Sequence, residues 1–270
     1  MLILGRNRLG VKEEKIALPN PFDFTGKTVV LAGGAGGLGR PISIAFAKSG
    51  AGVVLGDLSD VNLAETTEDA GRNGGKILTA KVDLCNPQEV EAFVNLVLKQ
   101  FGNIDVLVNL MGGIIRKPSA DYPLEEWQHV MDINLKACWL CCQAFGKVMI
   151  SRKRGRIINF SSNAGMHGFP GYPAYSPAKA GIIALTRGLA VEWGPFGICT
   201  NALAPGFTDT PLNADVLSDP KRVQSILARM PLGRVLPDDA LVGPTLFLAS
   251  DAARWINGHT INVDSGFNAT

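Results

Sequence analysis

Thr28-Val29-Val30-Leu31-Ala32 runs directly into Gly33-Gly34-Ala35-Gly36-Gly37-Leu38-Gly39, and an amphipathic stretch through Ile42, Phe46 and Ala47 follows. The apolar run reads as a strand buried on both faces, and the spacing after it reads as a helix. Between the two, the chain must turn sharply, bring its backbone close to a ligand and pack the helix tightly on the strand. Glycines meet all three demands, and the free N–H groups at the helix start then form a phosphate cradle. A glycine loop alone is weak evidence. One set between a strand and a helix points to a dinucleotide pyrophosphate.

The alternation continues through the chain. Strand patterns fall at Thr28–Ala32, Gly52–Gly56, Lys76–Lys81, Ile104–Asn109, Arg156–Phe160, Ile198–Ala202 and Thr260–Val263. Helical patterns lie near 38–49, 60–72, 87–101, 123–151, 174–194 and 238–249. Alternating strands and helices with right-handed crossovers predict an α/β Rossmann fold, a doubly wound, mostly parallel seven-stranded sheet with helices on both faces. A chain of 270 residues suits one large domain, and no repeat or linker divides it, so residues 25–270 read as a single unit. Residues 1–24, broken by Pro19 and Pro21, read as an N-terminal arm.

Composition removes several function classes. Lys and Arg number 26 against 24 Asp and Glu, and a net charge of +2 gives no reason to expect nucleic acid or an anionic membrane as partner. With 46% apolar and 19% charged residues, the chain is not disordered. No apolar run reaches membrane-spanning length, and the four apolar residues before Arg6 are too few for a signal-peptide core. Cys138-x-x-Cys141-Cys142 lies in an apolar helical stretch without a second metal-ligand pair, so these read as core thiols and no metal is expected. With Cys85 and Cys199 they make an odd set of five, which fits a reducing cytoplasm. The basic run Arg152-Lys153-Arg154-Gly155-Arg156 falls at a helix end, where cations suit the dipole.

The strand Val53-Val54-Leu55-Gly56-Asp57 ends in a carboxylate 18 residues beyond Gly39, near the spacing for an acid that grips the adenosine ribose diol. That charge would repel a 2′-phosphate, and Leu58 offers no compensating cation. Arg40, the one basic residue nearby, reads as a solvent-facing residue at the helix start. The expected cofactor is therefore NAD rather than NADP.

Tyr175-Ser176-Pro177-Ala178-Lys179 sets a phenol and an ammonium four residues apart, on one helix face. A tyrosine near pKa 10 is a poor base at neutral pH, and a neighbouring ammonium is expected to lower that value. Tyr175 would then take the proton from an alcohol as hydride leaves its carbon, or return it during ketone reduction. Ser162, thirteen residues upstream, would donate a hydrogen bond to the substrate oxygen.

These motifs together resemble the short-chain dehydrogenases/reductases, over about residues 25 to 268. The resemblance implies a catalytic set of Asn134, Ser162, Tyr175 and Lys179, in which Lys179 also binds the nicotinamide ribose and Asn134 holds a proton-relaying water. It assigns the cofactor to Gly33, Gly37, Leu38 and Gly39, to Asp57, to Asp83 and Leu84 at the adenine, and to Asn109 and Gly112. Pro205-Gly206-Phe207-Thr208-Asp209-Thr210 is similar to the loop that holds the nicotinamide carboxamide, with Pro205, Gly206, Thr208 and Thr210 in the cofactor set. It also implies a homo-oligomer, dimer or tetramer, paired through helices 123–151 and 174–194. Three departures stand out. Ala32 replaces a Thr that braces the glycine turn, Leu110-Met111 replaces Asn-Ala, and Pro177 is tolerable only if its helix has barely begun.

Gly113-Ile114-Ile115-Arg116-Lys117, with Glu126-Trp127, is similar to sugar-acid members of the family such as gluconate and deoxygluconate dehydrogenases. Arg116 is either a planar fork for a substrate carboxylate or a solvated loop cation. His167 is a second acid/base, a polar pocket wall or an exposed residue; with Arg116, Ser162 and Tyr175 it completes the candidate substrate set. His129 and His259 read as structural or surface groups. Segment 206–236, with Pro211, Pro220 and Pro231, reads as a long irregular lid. The function expected is an NAD-dependent oxidoreductase of a secondary alcohol on a small-molecule sugar acid or polyol. A 3-oxoacyl thioester reductase and a catalytically idle NAD-binding regulator are the alternatives. The first would prefer NADP, against Asp57; the second would have lost Ser162, Tyr175 or Lys179, and none is lost.

Overall fold

A computed structural model describes residues 20–72 and 76–270, so most of the arm expected at 1–24 lies outside the described residues. Strands β1 (Thr28–Ala32), β2 (Gly52–Asp57), β3 (Ile77–Lys81), β4 (Val106–Asn109), β5 (Gly155–Phe160), β6 (Ile198–Pro205) and β7 (Thr260–Val263) form one sheet. Their order is β3-β2-β1-β4-β5-β6-β7, and every pairing is parallel. Helices α1 (Gly39–Lys48), α2 (Asp60–Gly71) and α3 (Pro87–Phe101) link the first four strands.

β1 carries both halves of the core. Val30 faces a cluster with Val90, Phe93, Phe145 and Met149, while Val29 and Leu31 face another with Ile42, Phe46 and Leu248. All five residues of β1 are buried, as a strand covered on both sides requires. β1 pairs with β2 on one side and with β4 on the other. Strand order reverses there, and a cleft opens at the carboxyl ends of the strands.

The helix read at 123–151 is interrupted. It comprises α4 (Leu124–Met131), a π-helical turn over Asp132–Lys136 and α5 (Ala137–Arg152). The side chain of Asn134 supplies the reason: its Nδ2 donates to Val130 O at 2.8 Å, the carbonyl its own backbone N–H would take in an α-helix. Ala137 N–H instead reaches back five residues to Asp132 O, which is the wider spacing of a π-turn.

Helix α6 spans Tyr175–Trp193, so Pro177 lies in its first turn and costs no helical hydrogen bond. β6 runs on to Pro205, beyond the end at Ala202 that its pattern suggested. Segment 206–236, expected as an irregular lid, is not irregular. It carries α7 (Ala214–Leu217) and α8 (Pro220–Leu227), the latter capped by Asp219 with Pro220 in its first turn. Val216, Ile226, Leu227 and Met230 seat it against Phe207, Phe169 and Phe267. Helix α9 (Val242–Ala249) then returns to the sheet. Cys138, Cys141 and Cys142 lie on the buried face of α5 in the core, and all five cysteines are free thiols. No helix among the described residues is long and apolar enough to cross a membrane.

Candidate active site

The glycine loop is held in a single shape. Gly33 sits at φ +73°, and a Cβ there would lie 2.7 Å from Met111 N, so only glycine satisfies both the turn and the neighbouring loop. Ala32 offers no hydroxyl, and other groups brace the turn. Asp57 Oδ2 accepts the Ala35 N–H at 3.1 Å, and Thr66 Oγ1 donates to Ala35 O at 2.8 Å. Asp57 thus fixes the loop from the end of β2 while its carboxylate also lines the cleft. Arg40 does not simply face solvent; its guanidinium bridges Glu65, at 2.8 Å, and Asp69 on α2.

The cleft is a cavity of about 600 Å³, within the usual range for small-molecule and cofactor sites. Gly33, Gly37, Leu38, Gly39 and Asp57 line it, with Asp83 and Leu84. Gly112, Ser162, Tyr175, Lys179 and Arg116 line it as well, together with Pro205, Gly206, Thr208 and Thr210. Leu110 and Met111 contribute the bulky apolar wall that their substitution for Asn-Ala implied.

Three candidates fall outside this lining: Asn134, buried behind Gly112, and Asn109 and His167. Asn109, last in β4, turns its side chain into the core, where Nδ2 donates to Asn159 Oδ1 at 2.8 Å and to Cys142 Sγ at 3.2 Å. Strand alternation explains it: the residue after Asn109 reaches the cavity and Asn109 itself does not. His167 packs edge-on against Phe267, ring centroids 5.7 Å apart.

The catalytic candidates converge. Lys179 Nζ donates to Phe160 O at 2.9 Å and lies 5.6 Å from the centre of the Tyr175 ring. Ser161 Oγ donates to Lys179 O at 2.8 Å, tying the end of β5 to α6 and so setting Ser162 beside Tyr175. A Cβ at Gly112 would stand 2.7 Å from Asn134 Oδ1 and 3.2 Å from Lys179 Nζ, so that glycine is what lets the amide and the ammonium come together. Asn134 is wholly buried; its Nδ2 is used by Gly113 O and Val130 O, and its Oδ1 has no protein donor among the described residues.

The electrostatics differ from the expectation for Tyr175. Burial pushes its phenol up to about 12, and the bond to Ser162 and the charge of Arg116 only partly offset this. Lys179 does not hold it down, because burial also pulls the Lys179 ammonium down to about 8.

Arg116 reaches the cavity, yet it is not a free cation. Nε donates to Tyr172 Oη at 3.0 Å, Nη1 to Asp215 Oδ1 at 2.8 Å, and Nη2 to Asn213 Oδ1 at 3.3 Å; both Nη groups also reach Leu212 O at 3.3 Å. Tyr172, Leu212 and Asn213 line the same cavity and were missed in the sequence. Only Tyr172 left a trace there, as an aromatic three residues before Tyr175.

The residues fit a nicotinamide dinucleotide: a glycine cradle that a Cβ would block, an acid at the end of β2, and a carbonyl-anchored lysine in the same cavity. When bound, that cofactor accepts or supplies a hydride. With it in place, this arrangement would let Tyr175 hold or release a proton at a substrate oxygen, Ser162 donate to that oxygen and Lys179 orient the ribose end. Such a constellation defines a dinucleotide-dependent oxidoreductase of the CH–OH group.

Comparison with known proteins agrees. A family model described as enoyl-(acyl carrier protein) reductase matches residues 33–268. The chain is 36% identical over 252 residues to a 2-dehydro-3-deoxy-D-gluconate 5-dehydrogenase of Bacillus subtilis, covering 93% of this chain and 98% of that one. It is also 36% identical over 245 residues to a 3-oxoacyl-[acyl-carrier-protein] reductase of Synechocystis, covering 90% and 97%. Among solved structures, a gluconate 5-dehydrogenase from Burkholderia cenocepacia in complex with NADP and tartrate superposes with a TM-score of 0.89 at 30% identity, over 93% of this chain and 98% of that one. The chain belongs to the short-chain dehydrogenase/reductase family of NAD(P)-dependent oxidoreductases.

Proposed function

We propose that the protein oxidises, reversibly, a secondary alcohol of a sugar acid or polyol, with NAD as its cofactor and Tyr175 as the proton-transferring group. The observation that carries the reaction class is that Ser162, Tyr175 and Lys179 line the same cavity as the glycine loop, with Asn134 buried behind Gly112 next to Lys179. NAD over NADP is supported by Asp57 in the lining and by Arg40, whose charge is already committed to Glu65 and Asp69. A 2′-phosphate would meet a carboxylate there, with no free cation from Leu58. A sugar acid is supported by the gluconate-type relatives and by a guanidinium in the cavity lining. The thioester reductase remains the second reading, favoured by the Synechocystis relative.

The test is NADH formation from NAD with a panel of sugar acids, polyols and simple secondary alcohols, with Tyr175→Phe as the blank. Tyr175-dependent turnover of sugar acids upholds the reading; turnover of 3-oxoacyl thioesters alone replaces it with the second. The five free thiols fit a cytoplasmic setting. Trp139 on α5 and Val191 on α6, 38% and 81% exposed, support self-association through these helices. Light scattering of the purified protein tests it.

A further inference from the structure

Arg116 is 18% exposed, and among the described residues its one anionic partner is Asp215, the second residue of α7, whose own side chain is 53% exposed. The other groups on the guanidinium are neutral: Tyr172 Oη, Leu212 O and Asn213 Oδ1. Leu212, Asn213 and Asp215 all belong to the lid, so this one side chain ties the lid to the loop after β4. The tie lies close to the chemistry. Arg116 stacks 5.2 Å over the Tyr172 ring, and that ring meets the Tyr175 ring edge-on at 6.0 Å.

We propose that Asp215 determines substrate specificity, as the internal counter-ion that an anionic substrate displaces from Arg116. The inference rests on the sugar-acid reading above and names the residue that sets its selectivity. A carboxylate entering the cavity brings to Arg116 the same chemistry that Asp215 supplies, a charge-assisted pair with a planar fork. Asp215 can leave at little cost, because an ion pair with one half-exposed partner holds weakly and its carboxylate swings into water. The neutral lid groups can stay on the guanidinium when it does. A neutral polyol brings no competing charge, so Asp215 keeps its place and the polyol gains nothing from Arg116. The discrimination between acid and polyol is then reduced by Asp215, which every acid must first replace.

The experiment compares the wild type with Asp215→Asn, which keeps the side-chain shape and removes the charge. Gluconate and glucitol are the probes, matched in length and differing at the carboxylate. Two quantities are read: the ratio of kcat/KM for gluconate to that for glucitol, and the thermal shift each compound gives to the enzyme–NADH complex. With the counter-ion gone, the ratio should rise about twofold to fivefold, the scale of losing one weak, half-exposed competing ion pair, and the gluconate thermal shift should grow while the glucitol shift does not. Added salt should narrow the gap between the variants. An unchanged ratio, with both substrates weakened in parallel, would show that Asp215 only holds the lid together and would overturn the proposal. If the wild type turns over neither compound, the sugar-acid reading fails. The thermal shift alone then decides for Asp215: a gluconate shift no larger in Asp215→Asn overturns the counter-ion role.

Discussion

Asp57 Oδ2 accepts the Ala35 N–H at 3.1 Å, so the carboxylate that faces the cofactor cleft from β2 is also the brace of the glycine loop. Its two jobs can be separated. Asp57→Ala removes both and should weaken NAD about tenfold to a hundredfold, the scale of a charged hydrogen bond, while relaxing discrimination against NADP. Asp57→Asn keeps an acceptor for Ala35 and should relax the discrimination with a smaller loss of NAD. Titration of NADH and NADPH fluorescence checks both; unchanged relative affinities would remove Asp57 from the ribose site.

Tyr175→Phe deletes the proton-transferring oxygen and little else from a residue that is 8% exposed. Turnover should fall at least about a thousandfold, within the range of positioned acid–base groups, with NADH affinity kept within about twofold. Steady-state rates beside a binding titration test this, and a variant with near wild-type turnover would refute the role.

The phenol of Tyr175, pushed up to about 12 by burial, sets the sign of the pH dependence. Alcohol oxidation needs the phenolate, which becomes more populated as pH rises, so kcat/KM for oxidation should climb across the alkaline range. Ketone reduction needs the neutral phenol and should fall at high pH. Opposite slopes in the two directions are the expected outcome; parallel profiles would point to a different titrating group.

Lys179 carries a stability consequence. Its ammonium, near 8 in the folded protein against 10.5 when exposed, must be charged at a cost below pH 8. The unfolded chain binds the extra proton between these values, so this group makes stability rise as pH goes from 8 to 10.5. Lys179→Met should be inactive yet more stable at neutral pH by up to about 3 kcal/mol. Its advantage should vanish by pH 10.5, and denaturant unfolding at both ends of that window measures it.

Gly112→Ala would place a methyl 2.7 Å from Asn134 Oδ1. Activity should drop about tenfold to a hundredfold, as expected for a misplacement of about an ångström. If the methyl acts through Asn134, the double variant with Asn134→Ala should be no worse than Asn134→Ala alone. Additive losses would assign the effect to Lys179 instead.

The order of strands and helices, the glycine loop, Asp57 and the Tyr175–Lys179 pair were legible in the sequence. Each rests on local physics: a two-residue period, a helix repeat, a turn that only glycine makes, and a four-residue spacing on one helix face. Contacts between distant segments decided the rest. Nothing near Asn134 announces that its side chain takes the Val130 carbonyl and opens a π-turn, since Gly113, which shares the same amide, is 21 residues away. Asn109 turned out to be a core residue because pairing with β5 brings Asn159 against it. Arg116 is legible as a cation on a loop, but Asp215, 99 residues later, meets it only once the lid has folded back over the sheet. Charge and spacing are properties of the chain. Which charge is already neutralised, and which phenol is buried, are properties of the packed molecule, where distance through space replaces distance along the sequence.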